Sequence, residues 1–202
     1  MYNKIQFLIM SQMIIFTVIL GVVLYSTPRV LKLVNKALKL NKRHWNKRTI
    51  KYYVRILLLG SKTYNIKVED MLAIQFLESK MKTKAWNENK SKHHYSQDFG
   101  LSQINSKNLK LLSKRSIKLL KKNKIWHTKN IKYDIAISTL NGFGYLNDSR
   151  KSILKSKDRS FKRWIVSYNT GIRGSISKKR KFKIARIRYW NKFVEARKKL
   201  RI

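Results

Sequence analysis

Apolar residues along most of this chain recur at intervals of three and four rather than two, the spacing that gathers them on one side of a helix. The pattern is plainest in YYVRILLLG after Thr49, VEDMLAIQFLES, NLKLLSKRSIKLLKK, IKYDIAISTLNGFGYL, FKRWIVSYN and KFKIARIRYWNKFVEARKKL. A mainly α-helical fold follows. Gly60 closes the first of these runs as a candidate C-cap. Pro28 is the only proline and glycines are few, so no second domain and no internal repeat is visible. The stretch from Lys80 to Asp98 is polar and long for a link between helices, a property of functional loops.

The N-terminus is different. Ile5 to Tyr25 carries no charge, and at 1.5 Å per residue a helix there spans roughly 31 Å, about the thickness of a bilayer's hydrocarbon core. A cleaved signal peptide is the competing reading. The run is longer than a usual signal-peptide core, however, and Ser26, Thr27, Pro28 and Arg29 offer no small-x-small cleavage site. The expectation is therefore an uncleaved transmembrane anchor in residues 1–27. Residues 28–48 space Val30, Leu31, Val34, Leu38 and Leu40 among lysines, which reads as a basic amphipathic linker near a membrane surface or as a solvated connector. Residues 49–202 remain as the folded domain. Arg29, Lys32, Lys36, Lys39, Lys42 and Arg43 follow the apolar run and only Lys4 precedes it, so the positive-inside rule puts that domain on the cytoplasmic side.

Composition adds a partner class. Of 202 residues, 43% are hydrophobic, enough for a real core, while 48 Lys and Arg against nine Asp and Glu give a formal charge of +39. Such a field favours a polyanion: nucleic acid, anionic lipid or an acidic cell-wall polymer. Lys, Ile and Asn are abundant together, as an AT-rich genome would also produce, so charge alone does not select among these. Cysteine is absent, which excludes disulfides, thiolate metal sites and a cysteine nucleophile. His93 and His94 adjoin without a carboxylate spaced to complete a tetrahedral site, and His44 and His127 stand alone, so neither metal nor other cofactor is expected.

One carboxylate stands out. A helix from Val68 to Ser79 puts Met71, Ile74 and Glu78 along one side with Gln75 beside them, leaving Glu78 at the C-terminal end of an apolar segment. Burial and the negative end of the helix dipole both favour its protonated form, as a general acid for glycosidic cleavage requires. A surface glutamate is the plainer alternative. Three further patterns bear on that choice: AIQFLESK around Glu78, DFGLSQIN around Gln103, and SYNTGIRG around Tyr168. In this order they resemble the Glu-Ser, Gly-Leu-x-Gln-Ile and Tyr-Asn-x-Gly motifs of lytic transglycosylases of the SLT type and goose-type lysozymes. NIKYDIAISTLNGFGYL is a weaker fourth match, and the resemblance spans about Thr49 to Trp190.

The resemblance implies a lysozyme-like helical domain that binds peptidoglycan glycan strands and cuts the bond between MurNAc and GlcNAc. It implies Glu78 as acid and then base, Ser79 as a neighbour orienting the substrate N-acetyl group, Gln103 lining the sugar groove, and Tyr168 and Asn169 contacting Glu78 or the saccharide. It also implies a route without a second carboxylate, in which the N-acetyl group assists and the 6-hydroxyl closes a 1,6-anhydro ring. Asp98 is either the second carboxylate of a hydrolytic goose-type lysozyme or a cap or loop residue. The sequence departs from the family pattern at Lys80, where glycine is usual, at Ser102 for methionine and at Asn105 for proline.

The main rival is nucleic-acid binding by Arg173 to Ile202, with 13 Lys or Arg, one acidic residue, and Tyr189, Trp190 and Phe193 interleaved. Ile184, Ile187, Trp190 and Val194 recur at helical spacing there, which points instead to a last amphipathic helix that buries this stripe and solvates its basic face. A membrane-bound interaction protein that has lost activity would have to lack the acid, and Glu78 is present. The conflict with the positive-inside rule is met if a virion or conjugation machine delivers the enzyme, for local wall penetration from the bacterial envelope or from a phage with a membrane.

Overall fold

The computed structural model describes residues 27–91, 94–154 and 160–201. The apolar run at 5–25 and His93 lie outside them. Among the described residues no helix is long and apolar enough to cross a membrane.

The first helix, α1, covers residues 27–40. Val30, Leu33, Val34, Ala37 and Leu38 are buried in the same core cluster as the centre of the molecule, and Arg29 pairs with Glu69 at 3.1 Å. The segment expected as a linker at a membrane surface, or as a solvated connector, instead packs its apolar face into the domain. The domain therefore begins before residue 49.

Helix α2 (Lys47–Tyr64) starts at Asn46, whose side chain accepts from the Thr49 N–H, and ends at Asn65 in the left-handed conformation. Gly60 is not its cap. It lies inside the helix, buried, where a Cβ would collide with the Phe143 ring. The heptapeptide after Leu57 continues the helix, and glycine is needed there for close approach rather than for termination.

Helix α3 (Val68–Glu78) is the centre of the fold. Val68 and every residue from Asp70 to Gln75 are buried, so the helix is enclosed on all sides and presents no single apolar stripe. Three side chains hold its buried amide: Gln75 accepts from the Tyr53 hydroxyl and donates to Ser102 Oγ at 2.8 Å and Thr139 Oγ1 at 3.3 Å.

The polar stretch after α3 is not an irregular loop. Strands β1 (Trp86–Ser91), β2 (His94–Phe99) and β3 (Ile104–Asn105) form an antiparallel sheet in that order, with Asp98 opposite Asn87 on one side and Asn105 on the other. Of the residues in β1 and β2 whose burial is described, only Phe99 is buried. With neither face of the hairpin covered, no period-two apolar signal exists to predict it.

Helices α4 (Ser106–Lys122), α5 (Ile135–Leu154), α6 (Phe161–Ile176) and α7 (Arg180–Leu200) complete the domain. Helix α5 packs against α2, α4 and α6, and α7 lies on α6 and α3. Helix α7 is rotated relative to the sequence expectation: Tyr189, Phe193, Ala196 and Leu200 are buried, while Ile184, Ile187 and Val194 face outward. The aromatic stripe makes the better core, since Phe193 and Trp190 both pack on Phe161. Those aromatics are accordingly unavailable for stacking on nucleic-acid bases.

Candidate active site

A cleft of about 1010 Å³ brings together every residue singled out from the sequence: Glu78, Ser79, Asp98, Gln103, Tyr168 and Asn169. Each arrives from a different local cause. Glu78 is the last residue of α3, and Ser79 is its C-cap, with its N–H and hydroxyl both directed to the Gln75 carbonyl, at 3.1 and 2.9 Å. Ser79 therefore also fills the plainer capping role.

The next residue, Lys80, has φ of 49°, in the left-handed region that glycine enters without a steric penalty. Lys80 stands where the resemblance expects glycine, and takes the conformation at a cost of roughly 1 kcal/mol.

The turn carrying Gln103 is built on Gly100, whose φ is 73° and whose missing Cβ leaves room for Ser138 Oγ and the Lys132 carbonyl. Gln103 also has positive φ, 45°, and its amide donates to the Gly100 carbonyl at 2.9 Å. Leu101 is fully buried behind it. Tyr168 donates to the Ser102 carbonyl at 2.6 Å and meets Tyr145 edge-on at 5.3 Å, which fixes the middle of α6 against this turn. The α6 backbone then breaks at Gly171, with φ of 68°, where Asn169 and Gly171 reach the cleft.

Glu78 is half-buried, and burial pushes its carboxyl up from 4.5 to about 7. A hydrogen bond from Tyr189 and the charge of Lys192 pull it down, whereas the negative charge of Asp98 pushes it up. The Tyr189 hydroxyl donates to Glu78 Oε1 at 2.6 Å. Tyr189 and Tyr168 are themselves held well above their ordinary pKa by burial and by the nearby Glu78 charge, so both stay neutral donors. The hydroxyl on Glu78 comes from Tyr189 on the last helix, while Tyr168, expected to contact Glu78 or the saccharide, lines the same cleft and donates to the Ser102 carbonyl.

Asp98 accepts from Asn89 at Oδ2 and from Asn105 at Oδ1, both at 2.8 Å, which holds its carboxylate between the two flanking strands. Asn105, standing where proline is usual, thus acquires a purpose: it also caps α4, accepting from the Lys107 N–H.

Sequence reasoning missed Tyr189, Tyr145, Asn89 and Asn105. Tyr189 lay within the basic run read for nucleic acid. Its spacing to Phe193, Ala196 and Leu200 was the available signal. Among the described residues no three His, Cys, Asp or Glu side chains gather as a metal site would need.

A glutamate that lines a polar cleft beside a fixed carboxylate, with its carboxyl raised to about 7, can deliver a proton to a leaving oxygen and take one back near neutral pH. A family model described as the transglycosylase SLT domain matches residues 58–191. No curated protein and no solved structure matches the chain.

Proposed function

The chain belongs to the transglycosylase SLT domain family, whose members are lytic transglycosylases that cleave peptidoglycan, and from that premise we propose that Glu78 carries the reaction at the MurNAc-GlcNAc β-1,4 bond. The observation that carries the reading is the carboxyl of Glu78, which lines the cleft and is raised to about 7 by burial. Protonated Glu78 gives its proton to the glycosidic oxygen as the C1–O bond breaks, and the carbonyl oxygen of the N-acetyl group closes on C1. The Glu78 carboxylate then removes the proton of the sugar's 6-hydroxyl, whose oxygen displaces the N-acetyl oxygen to leave a 1,6-anhydro ring. No water is consumed, and Glu78 ends as it began.

Gln103 and Asn169 offer amide groups to the saccharide, Ser79 faces the N-acetyl group, and Tyr168 closes the wall. The enzyme acts in local wall penetration or remodelling, tethered through residues 5–25 at a bacterial envelope membrane or in a phage virion. The cleft supports a second reading because Asp98 lines it and acts electrostatically on Glu78: a goose-type hydrolase would use Asp98 to position a water opposite the leaving group.

Purified protein incubated with peptidoglycan, beside Glu78→Gln, tests this by mass spectrometry of the products. Anhydro ends are expected, and reducing ends would give the reaction to the hydrolase with Asp98. Absence of sugar release by the native chain would sink both. Protease access to Lys82 and Lys84 in spheroplasts and disrupted particles tests the location; protection that persists until the inner membrane is breached would put the domain on the cytoplasmic side and overturn a role in wall cleavage from that membrane.

A further inference from the structure

Among the described residues, the outer face of α7 is unlike any other helix surface. Ile184, Ile187 and Val194 are 40%, 47% and 45% exposed, and at 100° per residue they fall with Asn191 within about 80° of one another. Exposed cations border this strip: Lys183 lies on one side, Arg188, Lys181 and Lys199 on the other, and Arg180 and Lys198 along it. Its one acidic residue, Glu195, is paired with Lys199 at 2.7 Å. The opposite face of the same helix is buried, so α7 is anchored and its outer strip is held in a fixed orientation.

Aliphatic side chains exposed to water in a row cost free energy that a partner could recover. The chemistry narrows that partner. A second copy of a chain with a formal charge of +39 would bring like charges together along the strip. Nucleic acid would match the cations but has nothing for isoleucine and valine, and Tyr189 and Phe193 are spent in the core. A bilayer with anionic headgroups satisfies both: the aliphatic tips enter the boundary of the acyl chains while the long Lys and Arg stems reach up to the phosphates.

We propose that this face of α7 lies in the interface of an anionic lipid membrane, holding the domain flat against the bilayer. Tyr189, on the inner face of α7, contacts Glu78, so the docked helix fixes the cleft's position relative to the lipid surface. The proposal does not depend on the reaction at Glu78.

The absence of cysteine permits a direct test in the full chain. Single cysteines at Ile184, Ile187 and Val194 are labelled with a nitroxide, with one at exposed Leu111 on α4 as the aqueous reference. Collision with oxygen and with a water-soluble nickel complex is measured in phosphatidylglycerol-containing vesicles and in phosphatidylcholine vesicles. In the anionic vesicles the three α7 labels should show a several-fold rise in the oxygen-to-nickel ratio over Leu111, reversed in part by high salt. Values equal to Leu111 in both vesicle types would overturn the proposal, including the case in which residues 5–25 alone hold the protein to lipid. Label immobilisation by added nucleic acid, or spin-spin broadening without lipid, with no change on adding vesicles, would also overturn it.

Discussion

Helix α3 and the β1–β2 hairpin each bring one carboxylate to the same cleft, and they do so by opposite means. Helix α3 is enclosed by the core, and Glu78 inherits that enclosure as a carboxyl raised to about 7. The hairpin is solvated, and Asp98 is fixed instead by side-chain amides from Asn89 and Asn105 on the two flanking strands. Desolvation sets the proton affinity of one carboxylate, and hydrogen bonding sets the direction of the other. Two like groups in one cleft are thereby held by different means.

The contrast can be broken most severely at Glu78. Glu78→Gln should lower the rate of peptidoglycan cleavage by about 10²- to 10⁴-fold, the usual worth of a general acid, with the circular dichroism spectrum unchanged. A fall of less than tenfold would move the acid elsewhere.

The two regions should also differ in stability. Leu72→Ala, in the buried heart of α3, should cost about 2–5 kcal/mol in denaturant unfolding, whereas Asn87→Ser on the exposed strand should stay within about 0.5 kcal/mol. Equal costs would mean that the hairpin is not the solvated element described.

A third effect follows from linkage. The folded carboxyl of Glu78 is raised above its unfolded value of 4.5, so the native state binds the proton more tightly. Its contribution is fully present below about pH 4.5 and is lost as pH rises through about 7. Glu78→Gln should therefore match the native chain near pH 4 but exceed it near pH 8 by up to about 3 kcal/mol, less where solvent reaches the carboxylate. Thermal melts at the two pH values check the sign.

The smallest effects sharpen the comparison. Tyr189→Phe removes a bond that favours the carboxylate and should move the alkaline limb of the pH-rate profile above 7. Asp98→Asn removes a like charge and should move it below. If the enzyme is a transglycosylase, Asp98→Asn leaves most of the maximal rate. If it is a hydrolase, the loss approaches that of Glu78→Gln.

The sequence made one half of this comparison far more legible than the other. Glu78 was visible because apolar residues crowd its helix and motifs flank it. The hairpin was hidden because Asn87, Asn89, Ser96 and Gln97 are polar on both faces, and pairing between strands leaves no trace in hydropathy when neither face is buried. Gly60 and α7 failed for another reason: glycine marks close approach as well as termination, and two apolar stripes on one helix compete for the core. Only the neighbouring helices decide which stripe wins.

The buried amide of α3 has a geometric consequence. A helix that is buried on every side can be turned about its own axis and still bury oily surface, and each one-residue error in that rotation swings its last side chain by about 100°. Hydrophobic burial cannot correct such an error, because it has no direction. Gln75 can, since its amide meets Tyr53, Ser102 and Thr139 at a single setting. It acts as an indexing pin, so the bearing of the Glu78 carboxyl is decided three residues before it.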